Sequence, residues 1–135
     1  MKLNLNGKAA LITGASQGIG MAVARVLAEE GCHLHLAARN GSAMESLREE
    51  LISTHGTQVT VHAMDLSTTE AMEALVAATG EIDILVNNAG DIPAGSLDIV
   101  DDAAWRKGFD LKVFGYITLA RAYYPVLRKR AGVII

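Results

Sequence analysis

Three glycines, Gly14, Gly18 and Gly20, follow the short apolar run Ala9-Ala10-Leu11-Ile12 and Thr13, and they constrain the fold more than any other feature. Such a run fits a strand buried on both faces. From Gly18 the period changes. Ile19, Ala22, Val23, Val26 and Leu27 fall at i, i+3, i+4, i+7 and i+8, which predicts one face of a helix stopped by Gly31. A strand that feeds a helix through a glycine turn leaves the helix's first N–H groups aimed out of that turn. Those groups and the helix dipole attract an anion, and glycine lets the anion approach the backbone. The spacing is G-x-x-x-G-x-G rather than the commoner G-x-G-x-x-G. A tight turn without a ligand is the alternative reading of the glycines alone.

The same alternation continues. Leu34 to Ala38 predicts a second strand. Ser42-Ala43-Met44-Glu45 has capping-box spacing, and the helix it predicts carries Met44, Leu47, Leu51 and Ile52 on one face and ends at Gly56. Gln58 to Ala63 reads as a third strand. Ser67-Thr68-Thr69-Glu70 repeats the capping-box spacing ahead of Met72, Leu75 and Val76, and Gly80 closes that helix. Ile82 to Val86 reads as a fourth strand. Strands alternating with short helices predict an α/β fold, a doubly wound parallel sheet with helices on both faces. Right-handed crossovers give the strand order 3-2-1-4, and Gly132-Val133-Ile134-Ile135 looks like the start of strand 5. The ligand crevice then falls between the ends of strands 1 and 4, where Gly14–Gly20 and Asn87–Gly90 both lie. After a loop from Asp91 to Val100, the pattern predicts a long helix from Asp101 to Tyr124, capped by Asp101 and stapled by Val100 and Trp105. Pro125 marks its end or a kink. Phe109, Val113, Phe114, Ile117, Leu119, Ala120 and Tyr123 make this helix apolar on more than one side, so it must bury two faces, one on the sheet and one against a partner subunit.

Composition excludes several classes. Half of the residues are apolar and 20% charged, which fits a folded chain, and the formal net charge of −3 gives no footprint for nucleic acid or a membrane surface. Cys32 is the single cysteine, so no internal disulfide forms. The apolar runs fall short of the ~18 residues of a membrane span. With no signal peptide evident, a cytoplasmic protein is expected. The four histidines lack metal-site spacing, so no metal is expected.

Thr13-Gly14-x-x-x-Gly18-x-Gly20, then Asp65-Leu66, then Asn87-Asn88-Ala89-Gly90 together resemble the short-chain dehydrogenase/reductase family over essentially the whole chain. The resemblance implies one NAD(P)-binding Rossmann domain over residues 1–135 and an oxidoreductase acting on an alcohol or carbonyl substrate. It implies that Gly14, Ser16, Gln17, Gly18, Ile19 and Gly20 hold the cofactor's pyrophosphate. It also implies that Asp65 and Leu66 meet the adenine, and that Asn87, Ala89 and Gly90 line the adenosine ribose. Asp65 alone would read as a helix-entry cap, and Asn87-Asn88 as a turn.

The end of strand 2 decides between the two nicotinamide cofactors. An acid there binds a ribose 2′-hydroxyl, and an arginine binds a 2′-phosphate. This chain has Ala37-Ala38-Arg39-Asn40, so Arg39 favours NADP over NAD, unless it is a solvated surface arginine. The family's working groups are a serine, a Tyr-x-x-x-Lys pair and a helix asparagine. No Tyr-x-x-x-Lys occurs in these residues; Tyr124 precedes Arg128, a near-match in the wrong element. The chain ends before the serine position. The resemblance therefore implies the N-terminal portion of a longer dehydrogenase, inactive by itself and with an incomplete sheet. Trp105 and Gly115 match the surroundings of the family's asparagine, but Lys112 stands in its place. Either Lys112 enters the site as a catalytic group, with a non-lysine at the usual lysine position, or it points away, solvated or tied to a neighbouring aspartate. A non-catalytic nucleotide-binding relative, a sensor or scaffold, is the other reading that Lys112 allows. A homodimer or homotetramer through the Asp101–Tyr124 helix is expected.

Overall fold

The computed structural model describes residues 2–135. Five parallel strands, β1 (Ala9–Thr13), β2 (His33–Ala38), β3 (Val59–Ala63), β4 (Ile84–Val86) and β5 (Val133–Ile134), form one sheet in the order β3-β2-β1-β4-β5. The helices are α1 (Gly18–Glu29), α2 (Gly41–His55), α3 (Thr69–Thr79), α4 (Asp102–Phe109) and α5 (Tyr116–Lys129). A π-helical segment, Asp110–Gly115, joins α4 directly to α5.

The strand alternation sorts the core into two layers. Ala10, Ile12, Leu34, Leu36, Ile84 and Val86 pack with Ala24, Leu27, Met44, Leu47 and Leu51 of α1 and α2. Leu11, Ala37 and Leu85 point the other way, onto Met72 and Leu75 of α3 and Leu119, Tyr123 and Leu127 of α5. Both faces of β1 are thereby covered, as its uninterrupted apolar run requires. Cys32 is fully buried, and burial with nearby carboxylates pushes its thiol up to about 11, so it acts as a small hydrophobe. Among the described residues, no helix is long and apolar enough to cross a membrane.

Local details depart from the sequence pattern. α1 buries Gly20, Ala24, Leu27 and Ala28, while Ile19 and Val26 are exposed. Leu27 and the partly buried Val23 of the expected stripe do reach the core, but the closest approach to β1 is made by the small Gly20 and Ala24. Ile52 of α2 is likewise exposed. Neither capping box forms as read. Asn40 caps α2 by accepting from the Ala43 N–H at 3.1 Å, and Thr68 caps α3 by accepting from Ala71 N–H at 3.2 Å. Asp101 caps α4 as expected. The long helix does not stop at Pro125 but runs on to Lys129; the ring removes only the one N–H that residue 125 would donate.

Asp83 fastens the N-terminal edge of the sheet. Its side chain is 4% exposed, takes a two-pronged bond from Arg130 (Nε 3.0 Å, Nη2 3.1 Å), and accepts from the Ala9 N–H at 2.9 Å. Its own N–H donates to the Ala9 carbonyl, and its carbonyl accepts from Val133, so one residue links β1, β4 and β5. The Arg130 bonds, opposed by burial and joined by the Ala9 N–H, hold the Asp83 carboxyl below the usual carboxylate range. A carboxyl depressed on folding contributes stability that is full above its unfolded value of about 3.9 and is lost as pH falls through the lower folded value. Arg130 remains partly solvated, so the cost of removing the charge stays below that of orphaning a fully buried ion. Asp83→Asn is expected to lower stability by about 1–3 kcal/mol at neutral pH and to flatten the acid limb of the stability profile. Urea melts between pH 3 and pH 7 check this; an unchanged acid limb contradicts it.

Candidate functional site: a glycine-floored nucleotide cleft

The turn after β1 is built by close backbone approach. Gly14 has φ of +68°, and a Cβ there would lie 2.9 Å from the Ala89 Cα and from the Asn88 side-chain nitrogen. A Cβ on Gly20 would run into the Gly14 carbonyl and lie 2.6 Å from the Asn88 amide. The first and third glycines therefore let α1 settle against the ends of β1 and β4. The Gly14 N–H donates to the Ala37 carbonyl at 2.7 Å, which ties the turn to β2 as well.

Thr13 and Asn88 lock the two strand ends together. The buried Thr13 hydroxyl accepts from the N–H groups of Asn88 and Ala89, each at 3.0 Å, and donates to the Val86 carbonyl at 3.2 Å. The Asn88 side-chain amide donates to the carbonyls of Thr13 and Gly14 at 3.1 and 3.2 Å. In the sequence both Thr13 and Asn88 stand only as members of their motifs, with no role of their own. The available signal was a polar residue closing an otherwise apolar buried strand.

The N-terminus of α1 differs chemically from its neighbours. α2, α3 and α4 each have a side-chain cap. At α1 the Gln17 side chain makes no cap bond, and the first turn holds no acid. Its free N–H groups and dipole face a cleft of about 570 Å³ at the C-terminal ends of the strands.

Gly14, Ser16, Gln17, Gly18 and Ile19 line this cleft on one side, and Ala89 and Gly90 on another. Arg39 lines it at the end of β2, Asp65 and Leu66 after β3, and Lys112 from the π-helical segment. The exposure of Ile19 is explained by this position on the open wall. Gly20 and Asn87 do not line it. Gly20 packs beneath the turn, and Asn87 is half-buried with its side-chain oxygen lacking a hydrogen-bond partner. Asn40, Met64, Asn88, Ile92 and Leu111 also line the wall without having been singled out as site residues.

The charges in the cleft are specific. Asp65 accepts from the Ser67 N–H at 3.0 Å; that bond, the Ser67 hydroxyl and the nearby Arg39 and Lys107 together hold its carboxyl below the usual range. Arg39 reaches across to Asp91, Nη1 to Oδ2 at 3.2 Å. Lys112 is exposed, lies beside Gly90, and has its ammonium 5.4 Å from the centre of the Tyr116 ring. No ion pair forms to Lys112 among the described residues, so the tie to an aspartate is not made. The π-helical turn brings Lys112 and Leu111 to the wall. Tyr123 is buried and bonded to Thr79, and Tyr124 lies on an exposed groove with Ala120, Arg121 and Ile134, away from the cleft. His35 and His62 pair with each other at 3.0 Å, and burial lowers both.

Thr13→Val keeps the strand's shape but leaves two part-buried N–H groups without their acceptor. A loss of about 1–3 kcal/mol in stability is expected, with Thr13→Ser recovering most of it. Equilibrium denaturation of the three proteins measures this, and a Val variant as stable as the parent contradicts the locking role.

The comparisons agree with this geometry. The family model described as short chain dehydrogenase matches residues 8–135. An uncharacterized oxidoreductase of Bacillus subtilis, YvaG, is 40% identical across 100% of this chain and 52% of its own length. The 11-beta-hydroxysteroid dehydrogenase A of Sesamum indicum is 35% identical over 96% of this chain and 38% of its own. Among solved structures, L-sorbose reductase from Gluconobacter frateurii complexed with NADPH and L-sorbose superposes with a TM-score of 0.88 at 35% identity, covering 99% of this chain and 53% of that one. A metagenomic short-chain oxidoreductase in complex with NADP gives a TM-score of 0.85 at 35% identity, covering 97% of this chain and 61% of its own. The chain thus spans about half the length of such relatives. With the sheet order, the glycine turn and the matched family model all in accord, this chain belongs to the short-chain dehydrogenase family of oxidoreductases.

Proposed function

We propose that the protein to which this chain belongs is an NADP(H)-dependent oxidoreductase that moves a hydride between the cofactor and an alcohol or carbonyl group of a small substrate. Arg39 carries the cofactor choice. It lines the cleft at the end of β2, where Ala37 and Ala38 bring no carboxylate to repel a 2′-phosphate. The NADPH held by L-sorbose reductase and the NADP held by the metagenomic short-chain oxidoreductase support the same reading.

The residues fit a dinucleotide. The uncapped first turn, Ser16 to Gly20, offers N–H groups to the pyrophosphate, and the glycine floor gives it room. Asp65 and Leu66 bound the adenine end, and Ala89 and Gly90 line the ribose side, with Asn87 behind them. When bound, the nicotinamide supplies or accepts the hydride. Lys112 adds an unpaired ammonium to the wall beside Gly90, where it favours an electron-rich substrate oxygen. Measured by equilibrium binding, Arg39→Asp is expected to weaken NADP by roughly 10- to 100-fold and to leave NAD equal or tighter. An unchanged ratio contradicts the NADP reading.

We also propose that the outer face of the α4–α5 rod meets a second copy of the protein. Phe109, Phe114, Ile117 and Tyr124 are each about half exposed there, a patch that isolated surface hydrophobes do not make. Sedimentation of the intact protein is expected to show a dimer or tetramer that Phe114→Glu dissociates. A monomeric parent at micromolar concentration contradicts it.

A further inference from the structure

Strands β2 and β4 flank β1, so the segments that follow them stand on opposite sides of the cleft mouth. Arg39 follows β2 and Asp91 follows β4, and their side chains close the gap as an ion pair at 3.2 Å. Both are largely solvated, 65% and 55% exposed, so the bond is not there to hold the fold together. It lies at the rim of the cleft, in a side recess that Arg39 and Asp91 share with Asp65 and Lys107. The same corner carries Asp65, already occupied by Ser67, and the Lys107 ammonium from α4.

We propose that Asp91 is a specificity-determining residue for the cofactor: in the ligand-free protein it holds the Arg39 guanidinium at the rim of the cleft and so competes directly with the 2′-phosphate. This rests on the reading of Arg39 as the 2′-phosphate partner. The guanidinium keeps an anionic partner throughout. One carboxylate leaves Arg39 and a phosphate takes its place, with the phosphate's additional negative charge facing the nearby Lys107 ammonium. Because an exposed pair is worth little, the phosphate displaces it readily, and the freed Asp91 turns to solvent. NAD has no group to take over the guanidinium, so it gains nothing from breaking the pair. Asp91 therefore lowers NADP affinity while leaving NAD affinity alone.

The test is a double-mutant cycle on the intact protein, with NADP+ and NAD+ as the probes, binding followed by titration calorimetry and folding checked by melts. Asp91→Asn keeps the shape and removes the charge. It is expected to tighten NADP+ by about three- to tenfold at low salt and to leave NAD+ within about twofold. Arg39→Ala is expected to weaken NADP+, and in that background Asp91→Asn should change nothing. If Arg39→Ala leaves NADP+ unaffected, the cofactor reading fails and the competition fails with it. If Arg39→Ala weakens NADP+ but Asp91→Asn leaves its affinity unchanged or lowers it, the competition alone is overturned. Weaker NAD+ in Asp91→Asn overturns it too, since Asp91 would then be a ribose ligand.

Discussion

The Thr13 hydroxyl is the joint on which the cleft depends. It accepts from two part-buried backbone N–H groups after β4 and donates to the Val86 carbonyl. Without it those donors would lose their acceptor at the edge of the core. The Asn88 amide completes the joint by holding the Thr13 and Gly14 carbonyls, and this in turn fixes where the glycine turn lies. Everything downstream follows from that placement. Gly20 can sit against Gly14 because neither has a side chain, and α1 then points its uncapped N-terminus into the cleft.

That uncapped terminus is informative by contrast. Three other helices in the same fold use a side-chain oxygen to satisfy their first-turn donors. Such a cap contributes about 1 kcal/mol, so leaving one out is a measurable loss unless an anion takes its place. At the opposite end of the strands Asp83 gathers β1, β4 and β5 with Arg130. Fold and site are thus separated along the strands: ionic fastening at their N-terminal ends, open donors at their C-terminal ends.

Strand order, helix order and the position of the cleft were legible in the sequence, because they depend on periodicity and on glycines at strand ends. The caps were not. Asn40 and Thr68 compete with nearby Ser42 and Ser67 for the same role, and only the path of the preceding loop decides which oxygen meets the N3 donor. The inner face of α1 was misread because hydrophobicity pointed to Ile19 and Val26, whereas packing against β1 selected Gly20 and Ala24. Arg39 was legible from its distance past β2, whereas Asp65 and Lys112 were legible as site positions only through the family resemblance. Asp91 was not, since an exposed acid in a loop carries no pattern, and its bond to Arg39 exists only once β2 and β4 stand on either side of β1.

The central claim is that the free donors of the α1 N-terminus hold the cofactor's pyrophosphate, and amide chemical shifts during a titration with NADP+ report on it most directly. The account expects the largest shifts at the N–H groups of Gln17, Gly18, Ile19 and Gly20, with smaller ones at Arg39 and Ala89. Binding that leaves those four amides unmoved, while shifting residues elsewhere, would contradict it.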